Sequence, residues 1–105
     1  MHNRDDKMRE ALREVAAEFL LREANPTPLI TVTRATLSDD HARGVVYMTV
    51  FPDSGESAAV AFANRATGEF AAFFKKRIRG MSPPRVTFEI DKGEKSRQRL
   101  DELSQ

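Results

Sequence analysis

In the first part of the chain, apolar Met8, Leu12, Val15, Ala16, Phe19 and Leu20 recur at helical spacing among charged residues. That stripe predicts an amphipathic helix from about Asn3 to Glu23, with Asp5 and Asp6 near its start, where the helix dipole favours anions. Asn25-Pro26-Thr27-Pro28 stops it, because proline lacks a backbone donor and holds its predecessor extended. The period then changes. Leu29 to Leu37 alternates and is rich in β-branched Ile30, Thr31, Val32, Thr33 and Thr36, which predicts a strand. The polar run from Ser38 to Gly44 reads as a turn and Val45 to Phe51 as a second strand, near enough in sequence for an antiparallel hairpin. Pro52 closes that strand. Asp53 and Glu56 have the spacing of a helix capping box, with Ser54 as the competing cap.

Ala58 to Ala66 is alanine-rich and helical, with Ala59, Phe62, Ala63 and Ala66 on one side. Gly68 interrupts it; a glycine inside a helix costs about 1 kcal/mol relative to alanine, so a break or kink is expected there. Phe70, Phe73, Phe74 and Ile78 resume the pattern, which turns Lys75, Lys76 and Arg79 away from the core. Gly80 to Pro84 ends the second half, and Arg85 to Ile90 alternates as a third strand with Val86, Phe88 and Ile90 inward. Asp91-Lys92-Gly93 reads as a turn, and the charged stretch from about 92 to 105, with only Leu100 and Leu103 apolar, as a weak helix or frayed tail. The sum is one α+β domain over residues 1–105: helix, strand, strand, helix, kink, helix, strand, with a three-stranded sheet covered by helices on one face.

Hydrophobic residues at 40% and charged residues at 31% match an ordinary soluble domain, so neither disorder nor a membrane span is indicated. The opening Met-His-Asn-Arg-Asp-Asp-Lys has no apolar h-region, and there is no cysteine, so a cytosolic protein without disulfides or thiolate chemistry is expected. The net charge of +1 conceals an uneven distribution: between Glu69 and Glu89 there is no acid, while Lys75, Lys76, Arg77, Arg79 and Arg85 carry five positive charges.

Enzyme chemistry finds little support. His2 is near the N-terminus and His41 in a turn, neither with a carboxylate or hydroxyl at a spacing that makes a catalytic pair. Asp39-Asp40 reads as a solvated turn former in preference to a metal pair, and no phosphate loop or dinucleotide fingerprint is present. No cofactor, metal or small-molecule substrate is expected. A helix starting at a glycine, by contrast, offers unpaired backbone N–H groups and a positive dipole end to a phosphate. Lys75, Lys76, Arg77, Arg79 and Arg85 would extend that positive surface along a nucleic acid. The competing reading makes the run the solvated end of a helix whose dipole favours cations, and from these residues alone the two stand level. Most phenylalanines are expected in the core, Phe51 being left open as a stacking platform. A protein-interaction module built on the same sandwich is the main alternative to nucleic-acid binding, and a hydrolase is a distant third.

Four segments carry a resemblance. Ile30-Thr31-Val32-Thr33-Arg34, Val45-Val46-Tyr47-Met48-Thr49-Val50, Ala66-Thr67-Gly68 and Pro84-Arg85-Val86-Thr87-Phe88-Glu89-Ile90-Asp91 stand in an order and spacing similar to the ribosome-binding factor A family. The resemblance runs from the first helix to about Asp91. It implies a type II KH-like fold whose phosphate-clamping loop is replaced by an Ala-x-Gly kink, here Ala66-Thr67-Gly68. It also implies a non-catalytic, monomeric assembly factor that binds the free small ribosomal subunit, assists 16S rRNA maturation and is associated with growth in the cold. A basic residue often follows the kink in that family; here Ala71 and Ala72 stand in its place and positive charge begins at Lys75. The tail after the third strand is short, so contacts made by longer family members through their C-termini are expected to be absent.

Overall fold

The computed structural model describes residues 4–23 and 28–104; His2, Asn3 and the helix-stopping residues 25–27 lie outside them. In chain order the elements are α1 (Arg4–Glu23), β1 (Leu29–Leu37), β2 (Arg43–Phe51), α2 (Glu56–Arg65), α3 (Thr67–Arg77), β3 (Arg85–Ile90) and α4 (Lys92–Ser104). A short 3-10 turn at Asp53–Gly55 precedes α2. The α+β order expected from the sequence is present, with α4 added to it.

The sheet runs β1-β2-β3. β2 pairs antiparallel with β1, Thr31 facing Thr49, and parallel with β3, Val46 facing Phe88. The short polar turn suffices for the hairpin, whereas the parallel pair needs the α2–α3 crossover. Val46, Met48 and Val50 of β2 with Val86 and Phe88 of β3 form the inward rows, and α1, α2 and α3 cover them with Leu12, Phe19, Ala63, Phe70 and Phe74. Phe70 meets Phe19, Phe74 and Phe88 edge-on at centroid separations of 5.6, 6.1 and 5.8 Å, so it joins two helices and the sheet.

β1 does not alternate throughout. Its register shifts between Val32, opposite Met48, and Arg34, opposite Tyr47, leaving Thr33 as the extra residue of a bulge. Ile30 and Val32 face the core before the bulge, Ala35 and Leu37 after it. Arg34 is thereby turned to the outer face.

Two helix starts differ from expectation. The Asp53–Glu56 capping box does not form: Gly55 caps α2 without a side-chain bond, and both acids pair with Lys95 of α4 instead, at 3.5 and 2.9 Å. Residues 92–104, expected as a weak helix or frayed tail, are a helix because Asp91 caps it, its Oδ1 accepting the Glu94 N–H at 3.0 Å. The hairpin turn also has a partner not foreseen, His41 Nε2 lying 2.9 Å from Asp5 of α1. Asp40 behaves as a turn former, accepting from the Ser38 hydroxyl and the Ala42 N–H, which hold its carboxyl below the usual range.

Asn64 closes the free edge of β3. Its side-chain amide donates to the Phe88 carbonyl at 3.0 Å and its oxygen accepts the Phe88 N–H at 2.9 Å, as a neighbouring strand would. Asn64→Ala leaves both main-chain groups without these partners and should lower stability by about 1–3 kcal/mol, read as a lower urea midpoint.

Candidate functional site

The break between the two central helices lies at Ala66, not at Gly68. Ala66 has φ −94° and ψ 12°; its N–H is shared between the carbonyls of Phe62 and Ala63, each at 3.1 Å, and its own carbonyl accepts the Phe70 N–H at 2.8 Å. Its methyl group is buried, so the chain turns while Ala63 and Phe70 both stay on the core. Gly68 falls in the first turn of α3, where amides have no intrahelical acceptor and glycine costs little. α3 has no side-chain cap, so the first-turn donors belong to Thr67, Gly68 and Glu69. A Cβ at Gly68 would meet nothing within 4 Å, so this helix end is sterically open. Glu69 adds a negative charge to the same turn, and Arg65, exposed at the end of α2, a positive one just before it.

Lys75, Lys76 and Arg77 occupy the last turn of α3. Eight residues separate Thr67 from Lys75, about 12 Å of helix, so kink and cations sit at opposite ends of one rod. Lys75, Lys76, Arg79 and Arg85 are exposed and make no ion pair among the described residues. Arg77 is different. Its guanidinium pairs with Glu18 of α1 and lies 5.3 Å from the Phe73 ring, where Arg22 sits at the same distance. It joins α3 to α1, and its charge is compensated. Two α1 arginines are also paired, Arg9 with Asp6, and Arg13 with Glu10 and Glu14.

After α3, Gly80 takes a left-handed φ of 83°, open to glycine without steric cost, as the chain turns towards β3. Arg85 opens β3 directly opposite Arg43 of β2, a cation that sequence reasoning missed because its place depends on the parallel pairing. Gly44 next to it is tightly enclosed: a Cβ there would come within 3.1 Å of the Thr36 carbonyl oxygen and 3.2 Å of Pro84.

Four of the seven phenylalanines, Phe19, Phe70, Phe74 and Phe88, are buried as expected. Phe51 is 73% exposed beside Leu29, which leaves its ring free to stack. Asp91, only 5% exposed, has its carboxyl held below the usual carboxylate range, first by the Thr33 hydroxyl and then by the Glu94 N–H and Arg34. Among the described residues no group of three or more potential metal ligands assembles, and no helix is long and apolar enough to cross a membrane.

Comparison with known proteins places this geometry. The family model for ribosome-binding factor A matches residues 4–104. The chain is 32% identical over 103 residues to ribosome-binding factor A of Thermobifida fusca, covering 95% of this chain and 68% of that one. Its fold superposes on the crystal structure of ribosome-binding factor A from Thermus thermophilus with a TM-score of 0.71 and 26% identity, over 84% of this chain and 97% of that one. A Thermus thermophilus homology model fitted into a cryo-electron microscopy map of a 30S complex matches with a TM-score of 0.66 and 28% identity, over 77% and 88% of the two chains.

Proposed function

This chain belongs to the ribosome-binding factor A family, and from that premise we propose that it docks on the free small ribosomal subunit by gripping RNA phosphates. In this role it is a monomeric cytoplasmic factor that assists 16S rRNA maturation and leaves before translation. The observation that carries the proposal is the display of Lys75, Lys76 and Arg79, which extend from the acid-free segment without an ion-pair partner among the described residues, whereas Arg85 of the same segment points to the other face of the sheet. Cations on a folded surface with no internal counter-charge suit a polyanion. The open amides at Thr67 and Gly68 offer a second phosphate seat about 12 Å away, so one RNA backbone can touch both ends of α3. The Thermus relative described in a 30S complex supports the choice of subunit. No catalytic step is assigned: among the described residues the histidine–carboxylate contact is His41 with Asp5, which lies at the hairpin turn and is half exposed.

Fractionation of cell lysate on a sucrose gradient tests the role. The protein should travel with free small subunits; its appearance only at the top of the gradient, or with translating ribosomes, rejects it. Gly68→Ala tests the kink. Because Gly68 lies in a first turn, where glycine costs little, and a methyl group there meets no protein atom, the substitution should leave stability within about 0.5 kcal/mol of the wild type. It should also weaken subunit binding, since the methyl group keeps a phosphate from the first-turn amides; unchanged affinity removes the kink from the interface.

A further inference from the structure

Helices α1, α2 and α3 all cover one face of the sheet, and the other face has its own chemistry. On β2, Val46, Met48 and Val50 are buried while the alternate residues Arg43, Val45 and Tyr47 point the opposite way. Arg34, just past the bulge of β1, and Arg85 of β3 flank them. α4 reaches the far end of this face, where Gln98 and Arg99 line a hollow with Thr49 and Phe51. None of its residues lines the hollow at the Arg43 end.

Two features of this face point to a ligand. First, the guanidinium carbon of Arg34 sits 3.9 Å over the Tyr47 ring while its Nε donates to Asp91 at 3.3 Å. Asp91 is fixed in turn by the Thr33 hydroxyl at 2.6 Å and the Glu94 N–H at 3.0 Å. An arginine held this way has given up its rotamer freedom in advance, yet its side chain is still 55% exposed, and its terminal nitrogens form no hydrogen bond or ion pair among the described residues. Second, Arg43 and Arg85 stand directly opposite each other, an unfavourable placement for like charges. Among the described residues neither forms an ion pair, and the hollow of about 420 Å³ beside them is lined by Thr36, Ser38 and Thr87 and by no carboxylate. Four residues of β2, about 13 Å, separate this cation pair from the Tyr47 stack.

We infer that this bare sheet face is a second RNA contact, selective for single strands: an unpaired base stacks on Arg34 over Tyr47, and neighbouring phosphates rest on Arg43 and Arg85. The inference rests on the proposal that the chain binds RNA, and it adds a face opposite to α3. A duplex fits poorly, because its bases are already stacked on one another. Among the described residues a protein partner would find Val45, Tyr47 and the half-buried Leu37 as apolar anchors here, too few for an interface core.

The full chain can be titrated with a fluorescently labelled mixed-sequence RNA dodecamer, single-stranded or annealed to its complement. Tighter binding of the single strand is expected, together with a saturable change in tyrosine emission, which reports on Tyr47 alone because the chain has one tyrosine and no tryptophan. Arg34→Lys keeps the charge and loses the planar stack, so it should weaken single-strand binding about fivefold or more and leave duplex binding unchanged. Arg43→Ala with Arg85→Ala should weaken it about tenfold and flatten its salt dependence. Wild-type affinity in either variant, equal affinity for duplex and single strand, or constant tyrosine emission overturns the inference. Polyglutamate competing as well as RNA overturns it too, since bare charge would then suffice. Charge reversal at Lys75, Lys76 and Arg79 separates the two surfaces: loss of subunit binding there, beside unaltered Arg34→Lys binding, rejects only the sheet face. The reverse pattern rejects only the α3 patch.

Discussion

Reversing the charge of Lys75, Lys76 and Arg79 together is expected to weaken binding to the small subunit about tenfold or more while leaving the circular dichroism spectrum unchanged. The fold should survive because all three side chains are exposed and none takes part in an ion pair among the described residues. Binding should not, because a phosphate deprived of its cation keeps its counterions bound and each new carboxylate repels the RNA backbone. Arg77 is left out on purpose. It bridges to Glu18 and lies beside Phe73, so reversing it would disturb the α1–α3 packing and blur the readout. Wild-type affinity in the triple variant rejects the end of α3 as the interface.

Phe70→Ala should be the most damaging single substitution for stability. Phe70 is 1% exposed and touches the rings of Phe19, Phe74 and Phe88, so its removal leaves a cavity shared by α1, α3 and the sheet. Truncations of this kind cost about 3–5 kcal/mol. A domain this small has about 5–15 kcal/mol in all, so the urea midpoint should fall steeply and the variant should be partly unfolded at growth temperature. A loss of less than about 1 kcal/mol would mean that the helices do not close on the sheet through this ring.

Much of this was legible in the chain itself. β1 and β3 have the bounds their alternation predicts, and the buried stripe of α1 is the one its apolar spacing marks. The kink was expected at Gly68 because glycine is costly inside a helix; that cost applies to helix interiors, and Gly68 lies in a first turn, whose amides have no intrahelical acceptor. The residue that turns the chain is Ala66, selected by burial, which local propensity does not report. The same capping-box spacing occurs twice with opposite outcomes. At Asp91 it starts α4, where the carboxylate is already fixed by Thr33; at Asp53 it fails, because Lys95 draws both acids away. The bulge at Thr33 departs from the plain alternation expected of β1 and shows as a slip of parity, inward Ile30 and Val32 being followed by inward Ala35 and Leu37.

Partners distant in sequence were not legible. The bridge between Arg77 and Glu18 needs α1 laid against α3, and the pairing of Arg43 with Arg85 needs the parallel register of β2 and β3. Both change the interface: the first removes one cation from it and the second adds another.

Salt dependence of binding to purified small subunits tests the phosphate grip most directly. With Lys75, Lys76, Arg79 and Arg85 each neutralising one phosphate, the logarithm of the binding constant should fall against the logarithm of salt concentration with a slope of about −3. The triple charge-reversal variant should lose most of that slope. A nearly flat dependence in the wild-type protein, with the variant indistinguishable from it, would mean that the chain holds the subunit through a protein surface and not through RNA.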